Sequence, residues 1–106
     1  MDLESLLRFV EAQDKKLKKR YSSHANKESV ILARTVKLGE EFGELCEEVL
    51  AYSSLQRKQK LEKRDKENLP EEFADVIITT LLLAKAMNVD IEEALEEKVQ
   101  KINQRP

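Results

Sequence analysis

Across 106 residues, 19 basic and 21 acidic groups leave a formal charge of −2, which removes the chain-wide attraction to phosphate backbones that general nucleic-acid binders rely on, so no stable nucleic-acid partner is expected. Charged residues make up 38% and aromatics 5%, and Gly39, Gly43, Pro70 and Pro106 are the only strong turn-formers, too few for a sheet protein but enough for an all-α one. The lone Cys46, a start (Met1-Asp2-Leu3-Glu4) without a basic leader, and a longest apolar run (Val76 to Met87) broken by Thr79, Thr80 and Lys85 predict a cytoplasmic chain with no disulfide and no membrane span.

Leu3, Leu6, Leu7, Val10 and Leu17 recur at helical spacing, so a first amphipathic helix is predicted over about 2–20, its basic end (Lys15 to Arg20) complementing the helix dipole. The polar stretch from Tyr21 to Asn26 reads as a loop. A second helix is predicted from Lys27 to about residue 55. Ile31, Leu38, Phe42, Leu45 and Val49 form its expected core-facing stripe, and Lys37, Glu41, Glu44 and Glu48 form a second stripe beside it, about 60° wide. Both glycines lie in this helix, where each costs about 1 kcal/mol relative to alanine; close approach by another helix would compensate.

Residues 53 to 69 are polar, with six basic residues between Arg57 and Lys66 that read as a solvated charged face. Pro70 suits the first turn of a third helix, predicted over 70–88, and Glu71, Glu72 and Asp75 place negative charge at its dipole-favoured start. From Val76 to Ala86 that helix is apolar on nearly every face, which marks a helix surrounded by protein. Three short neighbours cannot surround it, so a partner subunit is expected to complete the bundle. Asp90 with Glu93 three residues on opens a fourth helix, predicted over 90–103, with Ile91, Ala94, Leu95, Val99 and Ile102 on its apolar face. The whole of 1–106 reads as one domain, and a chain this short buries only about two-thirds of its unfolded surface, so its own core will be thin.

Two segments share a local grammar: Glu40-Glu41-Phe42-Gly43-Glu44 and Glu71-Glu72-Phe73-Ala74-Asp75. In each, two carboxylates three residues apart share one helix face beside an apolar stripe. Either pair alone is common on a solvated helix, and Glu71 and Glu72 also serve as first-turn dipole partners. Matched pairs on two helices that pack antiparallel bring four carboxylates together, and divalent cations are the usual compensation for such self-repulsion. Oxygen ligands without histidine or thiolate point to Mg²⁺, with Mn²⁺ as a substitute, and a few carboxylates plus substrate phosphates is the usual way Mg²⁺ is held.

Glu40-Glu41-x-x-Glu44 followed, after 27 intervening residues, by Glu72-x-x-Asp75 resembles the MazG-like all-α nucleotide pyrophosphohydrolases. The flanking Lys37-Leu38-Gly39 and Leu69-Pro70-Glu71 also look like that family's two blocks, and the resemblance spans roughly residues 24 to 105. It implies a four-helix bundle completed by dimerisation, as dimers or dimers of dimers. It also implies Mg²⁺ on Glu41, Glu44, Glu72 and Asp75 as the catalytic set, and cleavage of a (deoxy)nucleoside triphosphate between its α and β phosphates, as in nucleotide-pool house-cleaning. The same resemblance brings His24, Asn26 and Lys37 toward the nucleotide, with Lys98, Asn103 and Arg105 facing the phosphates; the Lys98-to-Asn103 spacing is one longer than the family pattern, which makes Lys101 an alternative contact. Tyr21 and Tyr52 are read as packing residues, and Cys46 as a small buried hydrophobe. A phosphoribosyl-ATP pyrophosphatase-like enzyme and a non-catalytic dimeric helical module are the competing functions. A ferritin-like di-iron site is excluded because it needs Glu-x-x-His pairs on helices, and His24 is the only histidine.

Overall fold

The computed structural model describes residues 1–20, 26–53 and 68–106. Among these residues the chain forms four α-helices and no strand: α1 (Leu3–Arg20), α2 (Lys27–Tyr52), α3 (Asn68–Ala86) and α4 (Ile91–Asn103). No helix among them is long and apolar enough to cross a membrane. The expected loop residues His24 and Tyr21 and the basic run from Arg57 to Lys66 lie outside the described residues.

The helix ends follow local chemistry. Asp2 Oδ1 accepts from Ser5 N at 2.8 Å while Asp2 N donates to Ser5 Oγ, a reciprocal cap for α1. Asn26 and Ser29 make the same box for α2. Helix α2 stops at Tyr52, short of residue 55, with Ser53 closing the last turn onto Val49 O. Helix α3 starts at Asn68, two residues before the expected Pro70, because a first-turn proline gives up no helical hydrogen bond. It ends at Ala86, where Asn88 takes a left-handed φ of 55° and Val89 N reaches Ala84 O. Asp90 caps α4 by accepting from Glu93 N at 3.1 Å.

Helix α3 packs against α2 on one side and α1 on the other, while α4 makes only sparse contact with the rest of the chain. Arg34 of α2 meets α3 at Leu82, and Glu41 meets it at Glu72 and Asp75; position rises along one helix as it falls along the other, so α2 and α3 run antiparallel. A buried polar clamp ties three helices. Arg34 Nη1 donates to Asp14 Oδ1 of α1 at 2.7 Å and to the Leu82 carbonyl of α3 at 2.8 Å, and Lys18 adds a 3.1 Å contact to Asp14 Oδ2. Burial would raise the Asp14 carboxyl, but the Arg34 and Lys18 contacts outweigh it and hold the group below the ordinary value of 3.8.

The inward face of α2 differs from the expected apolar stripe. Arg34, Glu41 and Glu48, seven residues apart, are its buried row, while Ile31, Leu38 and Leu45 are half-buried and Phe42 and Val49 are exposed. The helix is turned about 60° from the orientation its leucines suggest. The hydrophobic core proper is small: Val10, Ala51, Leu81 and Ala86. On α3, Phe73 and Ile77 are half exposed, so among the described residues the all-round apolar helix is covered on two sides, by α1 and α2. Cβ atoms built at Gly39 and Gly43 would meet nothing within 4 Å, so the close helix approach expected there is not made among the described residues.

Candidate metal centre

The antiparallel pairing of α2 and α3 sets the register of their acidic groups. Glu41 lies on the buried row of α2, and opposite it the first two turns of α3 present Glu72 and Asp75. One carboxylate oxygen from each of these three residues lies within 4.8 Å of the other two. Glu41 is buried, Glu72 half-buried and Asp75 exposed, so the cluster opens from the helix interface to solvent. Thr79, one turn beyond Asp75 on the same face, is buried and donates to the Asp75 carbonyl at 2.6 Å.

Three like charges this close are unfavourable without a cation. Desolvation, then the charges of Glu44, Asp75, Glu41 and Glu48 in that order, push the Glu72 carboxyl above its ordinary value of 4.5. Glu41 Oε2 and Glu72 Oε2 are buried with no hydrogen-bond partner among the described residues, a state that costs about 1–3 kcal/mol or more per group unless something else satisfies it. Lys37 compensates in part: its Nζ lies 3.2 Å from Glu41 Oε1 and 3.6 Å from Glu40 Oε2, and the bond to Glu41 raises the lysine above its ordinary 10.5. The two orphaned oxygens and the all-oxygen donor set fit a hard divalent cation.

Not all of the expected residues converge. Glu44 is exposed and stands outside the three-residue cluster, although its charge acts on Glu72. Asn26 has its side-chain oxygen engaged by Ser29 N in the α2 cap, fifteen positions and about 22 Å of helix from Glu41. Lys98, Lys101, Asn103 and Arg105 are exposed on or just beyond α4, the helix with least contact to the rest of the chain. Tyr52 is half exposed and Cys46 half-buried. The Asp14–Arg34 clamp had no signal in the sequence, because its partners lie 20 positions apart on different helices. Glu48, buried beside the cluster, was visible only as the next member of the acidic stripe.

Two antiparallel helices of an all-helical chain thus bring together three carboxylates whose donor set fits a divalent cation. The chain belongs to the MazG-like family, whose model matches residues 32–105 and so includes every member of the centre. No curated protein and no solved structure matches it. Membership points to nucleotide pyrophosphohydrolase-type activity, in a family that is generally dependent on divalent metal.

Proposed function

We propose that the chain hydrolyses (deoxy)nucleoside triphosphates between the α and β phosphates, in a Mg²⁺-dependent reaction that clears unwanted nucleotides from the pool. The observation that carries this reading is the convergence of Glu41, Glu72 and Asp75 within 4.8 Å, with orphaned oxygens on two of them. These three residues would hold the cation, with Glu44 completing the set from the exposed edge. Bound there, Mg²⁺ supplies charge neutralisation on the phosphoryl oxygens and orientation of a water for in-line attack.

The water oxygen bonds to the α-phosphorus, the bond from that phosphorus to the bridging oxygen breaks, and pyrophosphate leaves with the bond's electrons. A nucleoside monophosphate remains. The water's proton passes to a carboxylate that the cation does not fully engage, with Glu41 the first candidate and Glu48, its neighbour on the same buried row, the second. Lys37, held at Glu41, keeps that carboxylate oriented. Lys98, Lys101 and Arg105, with Asn103, supply donors for the phosphates from the last helix, and His24 and Asn26 remain nucleotide-side candidates. The whole chain acts as one domain, and a second copy covers Phe73 and Ile77 of α3 to give at least a dimer.

The test is a panel of normal and modified nucleotides with Mg²⁺ or Mn²⁺ and chromatographic identification of products. Monophosphate plus pyrophosphate, lost in excess EDTA, is the expected result. Release of orthophosphate, or no turnover across the panel, would remove the assignment.

A further inference from the structure

Glu41 presents two carboxylate oxygens with different surroundings. Oε1 lies 3.2 Å from Lys37 Nζ, one turn earlier on α2, whereas Oε2 is buried and has no hydrogen-bond partner. Lys37 Nζ is also 3.6 Å from Glu40 Oε2, so the ammonium is held between two carboxylates of its own helix. Among the described residues neither Glu72 nor Asp75 is paired with a cation. Glu41 is thus the member of the cluster with one oxygen tied.

Helix stability is a weak account of that pairing. On an isolated helix the favourable order places the glutamate before the base, as Glu4 precedes Arg8 on α1. Lys37 precedes Glu41, which is the poorer order. Nor is it an ordinary surface pair: the Glu41 side chain is 10% exposed, against 77% for Glu4.

The tether bears on which cation the centre takes. The last torsion of a glutamate side chain is broad, so an untied Glu41 carboxylate turns and offers either oxygen or both. With Oε1 on Lys37, Oε2 is the oxygen left to offer. Ca²⁺ accepts carboxylates through one oxygen or two and tolerates larger, irregular shells, whereas Mg²⁺ requires a near-octahedral one. The two oxygens of one carboxylate are too close together to fill adjacent corners of an octahedron. Choice between the two ions therefore follows the flexibility of the ligands as well as their number.

We propose that Lys37 is a specificity-determining positioning residue of the centre: by holding Oε1 of Glu41 it restricts that ligand to the single oxygen Oε2, and so favours Mg²⁺ over Ca²⁺. The inference rests on the carboxylate cluster being the cation site of the proposed function. It concerns which ion that site takes, not the reaction.

Metal titrations without nucleotide test it. Melting temperature is followed by circular dichroism across MgCl₂ and CaCl₂ concentrations at constant ionic strength, and the concentration dependence yields an affinity for each ion. Lys37→Met removes a positive charge beside the cluster, which by itself strengthens both divalent ions by a similar factor, so the ratio of the two affinities isolates the positioning. That ratio, Mg²⁺ over Ca²⁺, is expected to fall about tenfold, the low end of what loss of a partner behind a metal ligand costs. Lys37→Arg keeps a cationic donor within reach of Oε1 and is expected to hold the wild-type ratio. A ratio unmoved in Lys37→Met, or lowered equally in Lys37→Arg, overturns the proposal and leaves the cation site standing. No shift with either ion in the wild type would remove the site itself, and the proposal with it.

Discussion

Asp75→Asn separates the electrostatics of the carboxylate centre from its chemistry. The substitution keeps the shape of an exposed side chain and removes one charge from a group of three whose oxygens lie within 4.8 Å. Two unit charges at that separation repel by about 0.9 kcal/mol in water and about 3.5 kcal/mol at an effective dielectric of 20. Because Asp75 is exposed, the lower figure applies, and relief against both Glu41 and Glu72 comes to about 1–2 kcal/mol. In EDTA the variant should therefore melt above the wild type, by about 4–8 °C for each kcal/mol in a domain of this size. Metal reverses the order: at a hundred times its Kd a ligand stabilises the folded wild type by about 2.7 kcal/mol, and the variant, short of one ligand, should gain far less. The assay is thermal denaturation followed by circular dichroism, in EDTA and in millimolar MgCl₂ or MnCl₂, beside pyrophosphate release. The expected pattern is higher metal-free stability, a collapsed metal shift and no turnover. A variant that melts lower than wild type in EDTA, shows the same metal shift, or turns over at the wild-type rate would refute the reasoning.

The four helices were legible because helix signals are local: the apolar spacing of α1, the cap at Asp90 and a proline tolerated in the first turn of α3 all act within a few residues. The centre was legible for a related reason. Carboxylates at spacing three share a face, and antiparallel pairing is the simplest way for two successive helices to bring matched pairs together. What misled was the leucine stripe of α2. Hydrophobic periodicity reports which face becomes buried, not which neighbour buries it, and in this chain α3 lies over the polar row of Arg34, Glu41 and Glu48. The glycines misled in the same way: they suggested close approach by another helix, and among the described residues nothing comes within 4 Å of a Cβ built at either. The clamp of Asp14 and Arg34 lay beyond sequence reading, since both residues are ordinary surface types until tertiary packing buries them.

Breaking the clamp by Arg34→Met leaves the buried Asp14 with only the half-exposed Lys18 as partner and should cost up to about 3 kcal/mol, whereas Asp14→Leu combined with Arg34→Met should recover most of the loss; urea denaturation of the two variants measures both. In metal-free protein the raised Glu72 carboxyl binds its proton more tightly folded than unfolded, so its contribution to stability is full below 4.5 and is lost as pH rises through its folded value. The depressed Asp14 carboxyl has the opposite sign, contributing above 3.8 and losing its contribution as pH falls through its folded value. Glu72→Gln should abolish the loss on the alkaline side in EDTA and leave the acid limb unchanged, and an unchanged alkaline slope would exclude Glu72 as its source. The last helix provides the remaining test. No ion pair among the described residues involves α4, and Lys98, Lys101 and Arg105 stand exposed on or just past it, so their charge is not committed to holding the fold. A triphosphate is the ligand whose charge would use it. If each cation contributes about 1 kcal/mol to binding, replacing all three by alanine weakens substrate affinity by about two orders of magnitude. The expected signature is a KM raised by that order and less sensitive to salt, with kcat at saturation nearly kept and the melting temperature unmoved. Loss of kcat with an unchanged KM would instead place the three cations outside substrate binding.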